Sequence, residues 1–256
     1  MALEDRSAVQ AARSAPLDSI TALLGSASEA VLEALIENPS LDETHVCILL
    51  ERKDLPGLLL EEIAKRKTWR ASYRVRRALA AHPHTPRLLA MRLLRELHLM
   101  DLVRISLLPA SNGELRRLAE ERVLAQLPQL PLGQRLMLAK RGTSRIAGGL
   151  VAHGPEPVVR AALDNTFLTE SHLLKILARE ALPAQTVAAV ARHRKWPKLV
   201  NIRVALLRHP HAPAELLPAF VPDLPRHEIK ELLAQARLPE VLRIHLRHEL
   251  ARRKKE

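Results

Sequence analysis

The chain has 256 residues, 47% hydrophobic and 27% charged, a globular rather than a disordered balance. Only 2% are aromatic, so the expected core is Leu, Ala, Val and Ile, which suits close helix packing better than a β-sandwich. A single cysteine excludes an internal disulfide framework and any Cys-rich zinc or iron–sulfur site, and the formal net charge of +12 fits partners that are polyanions, anionic lipid or an acidic protein face.

Met1-Ala-Leu-Glu-Asp-Arg6 lacks a basic segment followed by an apolar one, and no run approaches 18 uncharged apolar residues. A cytoplasmic chain without a transmembrane segment is expected. Residues 1–16 read as a flexible N-terminal extension. Positions 1–68 hold 7 Lys/Arg and 12 Asp/Glu, net −5, which leaves +17 for the remainder.

From residue 29 a helical grammar sets in. Val31-x-x-Ala34-Leu35-x-x-Asn38-Pro39 returns at an offset of 44 as Val75-x-x-Ala78-Leu79-x-x-His82-Pro83. Apolar residues at i, i+3 and i+4 mark one stripe of a helix, and the Asn or His stands where the helix breaks. Asp42 and Thr169 are plausible N-caps, and Thr85 with Pro86 reads as a cap and first helical position. Small residues at Ala34, Ala78, Ala161 and Ala205 suit close helix approach.

The whole segment 29–86 then repeats. It aligns without a gap to 156–213 at an offset of 127, with 20 of 58 positions identical. The shared residues include Asn38/Asn165, His45/His172, Trp69/Trp196 and Arg76/Arg203, and His82-Pro83-His84-x-Pro86 returns as His209-Pro210-His211-x-Pro213. Short amphipathic helices in repeated pairs cannot bury their stripes singly, but stacked pairs can. The expected fold is all-α, a right-handed α-solenoid of stacked helix pairs. It divides into a first half (17–128), a seam (129–149) around Gly133, Gly148 and Gly149, and a second half (150–253), in one continuous solenoid.

The phrases Val75-Arg76-Arg77-Ala78-Leu79-Ala80-Ala81-His82-Pro83-His84-Thr85-Pro86 and Val158-Val159-Arg160-Ala161-Ala162-Leu163-Asp164-Asn165 resemble leucine-rich-repeat-variant and HEAT-like bacterial repeats. That resemblance implies an all-helical solenoid. The variant family's prototype also carries a Cys-ligated iron–sulfur cluster, and those cysteines are lacking here, so no cofactor is carried over.

Candidate chemistry is sparse. His82, His84, His209 and His211 suggest a metal, but two of them occupy the position of Asn38 and Asn165, so helix-end capping is the expected role and no metal site is assigned. Cys47 aligns with Leu174 and reads as a buried small side chain. Trp69 and Trp196 stand in basic surroundings, either plugging gaps between helix pairs or serving as platforms beside cations. Arg76 and Arg203 belong to the repeat and either bridge it or form a stripe for phosphates. The tail Arg252-Arg253-Lys254-Lys255-Glu256 reads as a frayed end. The candidate binding surface is Trp69, Arg74, Arg76, Arg77, Arg194, Lys195, Trp196, Lys198 and Arg203. The expected function is a non-enzymatic scaffold that binds a protein partner through a concave, partly basic face. The alternatives are a phosphate-backbone-binding protein and, further off, a HEAT-like DNA glycosylase with a carboxylate beside a tryptophan.

Overall fold

The computed structural model describes residues 2–26, 28–108, 113–234 and 238–253. Among them there are eighteen α-helices, three short 3-10 turns and no strand, and no helix is long and apolar enough to cross a membrane. The chain forms two compact units, Met1–Val123 and Leu124–Glu256.

The first unit contains α1 (Ala2–Ser14), α2 (Leu17–Leu23), α3 (Glu29–Glu37), α4 (Glu43–Leu49), α5 (Gly57–Lys65), α6 (Lys67–Ala71), α7 (Tyr73–Ala81), α8 (Arg87–Leu94) and α9 (Leu99–Leu107). α10 (Gly113–Gln126) follows. The second unit contains α11 (Leu132–Arg141), α12 (Ser144–His153), α13 (Glu156–Leu163), α14 (Glu170–Leu177), α15 (Ala184–Ala191), α16 (Val200–Arg208), α17 (Arg226–Leu233) and α18 (Glu240–Arg252). In the first unit α1 packs on α3, and α4 on α7; in the second, α11 packs on α13 and α13 on α15, while α12 packs on α14 and α14 on α16.

Two expected boundaries change. Residues 2–14, read as a flexible extension, form α1, and Ala12 and Ala15 are buried. Residues 129–149, read as a seam, hold α11 and the start of α12, with Leu138, Ala139, Ile146 and Ala147 buried. The physical reason is the same in both. Asn38 Nδ2 donates to Ala12 O (2.9 Å) and Ala15 O (3.0 Å), and at the equivalent place in the second copy Asn165 Nδ2 donates to Ala139 O (2.7 Å) and Gly142 O (3.0 Å). The correspondence between the copies therefore extends upstream of each aligned segment to the ends of α1 and α11.

Local sequence explains the helix ends. Asn38, His82 and His209 all adopt extended backbone at the end of a helix, and each precedes a proline, which disfavours the α conformation in the residue before it. Asp42 and Thr169 cap as expected, accepting from His45 N (2.9 Å) and His172 N (3.4 Å). Thr85 does not. Pro86 occupies the cap position, and the Thr85 hydroxyl instead donates to Leu79 O at 2.6 Å. Of the four stripe alanines only Ala34 is buried; Ala78, Ala161 and Ala205 are half-buried. Gly154 follows α12 where a Cβ would stand 2.4 Å from Leu150 O, so the helix turns there only because no side chain is present.

The core is aliphatic. Ile20, Leu35, Leu49, Leu60, Ile63 and Leu79 are buried in the first unit, and Val204, Leu217, Leu224, Ile229, Leu232 and Leu246 cluster in the second. Arg252 and Arg253, the first two residues of the expected frayed end, are held by side-chain contacts. Glu249 pairs with Arg252 (2.9 Å) and Arg253 (2.6 Å), and these two guanidiniums hold its carboxyl down at about 2. Arg253 also donates to Leu224 O and Pro222 O. Residues 254–256 of the expected tail lie outside the described residues.

Candidate functional site

The histidines act as buckles between helices. His82 Nε2 lies 2.6 Å from Arg52 O, and His84 Nδ1 lies 3.0 Å from Leu55 O. The second unit matches, with His209 Nε2 at 3.2 Å from Arg179 O and His211 Nδ1 at 2.8 Å from Leu182 O. Each imidazole nitrogen facing a carbonyl must be the protonated one. His82 Nδ1 and His209 Nδ1 then accept from the backbone N–H two residues on, as Asn38 Oδ1 and Asn165 Oδ1 also do.

Donor arithmetic explains the motif. An Asn amide has two N–H groups and satisfies two carbonyls three residues apart. A neutral imidazole has one, so the second carbonyl requires a second histidine. The expected capping role is thus modified: these side chains cap the segment packed beneath them and not their own helix. Among the described residues no group of three or more His, Cys, Asp or Glu is placed to hold a metal.

This chemistry carries a pH dependence. Burial lowers the affinity of His82 and His209 for a proton, against the opposing hydrogen bonds to Arg52 O and Arg179 O. Lys53, Asp54 and His84 face His82, while Glu180 and His211 face His209. A histidine whose folded-state pKa lies below its unfolded value binds more protons unfolded, so its stabilising contribution is complete above about pH 6.5 and is lost as pH falls below it. Tm is expected to drop between pH 7 and pH 5. His82→Asn with His209→Asn, which copies positions 38 and 165, should shrink that drop. An unchanged drop in the double variant would discount the buckle histidines as its source.

The candidate surface residues do not form one face. Trp69 and Trp196 are only 6% and 1% exposed, so neither is a platform. Trp196 Nε1 donates to Leu163 O at 2.9 Å, and cations cover both rings, Arg66 over Trp69 (5.2 Å) and Lys195 over Trp196 (4.1 Å). A glycosylase site would need a tryptophan open to a pocket beside a carboxylate, and neither ring is open.

Arg76 and Arg203 bridge the repeat in matching fashion: Arg76 pairs with Glu96 (3.0 Å) and Arg203 with Asp223 (2.8 Å), at the same offset of 127 for both partners. The Arg203 side chain is buried. Arg77 contacts Asp101 (3.7 Å), which also accepts from Tyr73 Oη (2.5 Å), and Arg74 reaches Glu43 (3.6 Å). Arg194 is 90% exposed and lies 3.9 Å from Asp164, and Lys198 is exposed. Cys47 is half-buried, and burial pushes its thiol up from its ordinary value, the opposite of nucleophile activation.

Each unit carries an open groove. The larger, about 990 Å³ in the second unit, runs along α13 and α15. Its arginines are engaged: Arg160 with Glu156 (2.5 Å), Arg192 with Glu215 (3.1 Å) and Arg194 with Asp164. The smaller, about 380 Å³ in the first unit, lies between α5, α7 and α8, with Arg70 of α6 at its edge. Ala64, Leu88 and Leu89, with the buried Leu79 and Leu93 beneath, form its apolar part, and Arg70, Arg76 and Arg92 line it. Leu88 is 80% exposed, and Arg70 and Arg92 are exposed with no side-chain partner among the described residues. Of this set only Arg76 is among the candidate binding residues named from the sequence. Comparisons with protein-family models, with curated proteins and with solved structures return no match.

Proposed function

We propose that this protein is a non-enzymatic helical-repeat scaffold that binds a protein partner through a partly basic face. In this reading each unit is a short stack of α-hairpins, a right-handed α-solenoid of the leucine-rich-repeat-variant or HEAT-like kind. The stacking of α11 on α13 on α15, and of α12 on α14 on α16, supports the layered arrangement.

The observation that carries the binding reading is the smaller groove. It combines a leucine left in solvent with two cations, Arg70 and Arg92, that no carboxylate among the described residues neutralises, and an amphipathic lining suits a peptide better than a phosphate backbone. The nucleic-acid alternative loses its stacking platforms to burial, and its repeated arginines to ion pairs. The test is to pan a displayed random-peptide library on the full chain and, separately, to titrate it with a 20-base-pair duplex at several salt concentrations. Panning should enrich peptides. The duplex should bind only at non-specific strength, roughly 10⁻⁴–10⁻⁶ M at physiological salt. Tight, steeply salt-dependent duplex binding with no enriched peptide would overturn the reading.

A further inference from the structure

We infer that the groove between α5, α7 and α8 binds an acidic peptide segment that carries one apolar anchor. The anchor seats against Leu88, Leu89 and Ala64, and flanking carboxylates meet Arg70 and Arg92. This rests on the protein-binding reading above and names the chemistry of the partner.

The second unit serves as an internal control. Positions that hold the fold recur at an offset of 127: Arg76/Arg203, Leu79/Leu206 and Ala64/Ala191 all line this region. The positions that give the groove its character do not. Leu88 is matched by Glu215, Arg70 by Pro197 and Arg92 by Ala219. The Glu215 that replaces the leucine is itself paired with Arg192. A stacked unit therefore forms without an exposed leucine or the two arginines, which have no side-chain partner among the described residues, at these places, and the fold does not require them.

Charge sets the sign of the partner. Lys65, Arg70, Arg76 and Arg92 face this groove against Glu61 and Glu96. Glu96 is held by Arg76, and Glu61 lies near Lys65, whose ammonium pairs with Glu62. Nearby Arg87 is likewise satisfied by Glu114 at 3.0 Å. Arg70 and Arg92 are left as donors for an incoming carboxylate, and arginine is the cation best shaped to grip one with two parallel hydrogen bonds. The apolar floor separates this site from a phosphate grip, which needs no leucine. A volume of about 380 Å³ accepts a side chain with its neighbours and not a folded domain.

The test uses peptides enriched by panning on the full chain, synthesised with a fluorescent label and titrated by anisotropy. They are measured against wild type, Arg70→Glu with Arg92→Glu, and Leu88→Asp. All three positions are exposed, so the melting curves of the variants should match wild type. Enriched peptides should pair a Leu, Ile, Phe or Trp with Asp or Glu within a few residues. They should bind both variants at least about tenfold more weakly, the loss expected for removing a desolvated charge partner or an anchor contact. Peptides without acidic residues, or affinities that change less than twofold, overturn this groove as the site while leaving the scaffold reading intact. No enriched peptide at all overturns both.

Discussion

Trp196→Ala is expected to destabilise the Leu124–Glu256 unit by about 3–5 kcal/mol, the range for truncating a large buried aromatic. The ring is 1% exposed and fills the space where the turn Trp196–Lys198 meets α15 and α16, and its Nε1 satisfies Leu163 O at the end of α13. Alanine would leave both a cavity and an orphaned carbonyl. Trp196→Phe separates the two contributions: it keeps most of the volume and loses only the hydrogen bond, at a cost of about 1–2 kcal/mol beyond repacking. Urea unfolding followed by circular dichroism checks both values, and the remaining Trp69 fluorescence reports on the first unit. A shift below about 1 kcal/mol for Trp196→Ala would show that the ring does not pack as described. Two transitions are expected once one unit is weakened, because a chain of two compact units need not unfold in a single step.

Asn165→Ala is expected to cost about 2–4 kcal/mol, although it removes no apolar contact of any size. The amide is 2% exposed and donates to Ala139 O and Gly142 O while accepting from Phe167 N at 2.7 Å. Its loss leaves three backbone groups without their partner. The size of the effect comes from that penalty and not from the strength of the bonds themselves. Asn165→His is the informative companion. One imidazole N–H replaces two amide N–H groups, and Phe167 at the second position brings no side-chain donor, so only part of the stability should return. Full recovery with histidine would sink the donor-count account of the His-Pro-His motif. A near-neutral Asn165→Ala, measured by the same denaturant titration, would show that water serves the two carbonyls.

Recurrence between the two copies makes Asn38, His82, Trp196 and Arg76 visible in the sequence, and all four are joints of the fold. Their partners are not visible there. Ala12 O, Arg52 O and Leu163 O belong to segments whose side chains carry no signal for the contact, because a backbone carbonyl is offered by every residue. For the same reason residues 1–16 and 129–149 read as extension and seam: their identities across the offset are few, while their backbones receive equivalent bonds. Choosing repeated residues as a binding surface also selects against function. Repetition marks what each unit needs to stand, so the candidates Trp69, Trp196, Arg76 and Arg203 are buried or paired. The groove residues Arg70, Leu88 and Arg92 are the ones that differ between the units. Position-by-position comparison of the two copies finds the difference, though not that the three residues share one groove.

Helix type, helix ends and the amphipathic stripes are dictated locally, because apolar spacing, capping side chains and X-Pro steps act within a few residues. Which side of each helix stays in water, which cations find a carboxylate, and that Leu88 is left uncovered are decided only when distant segments pack. Burial and charge pairing are properties of the assembled neighbours, and no residue carries them by itself.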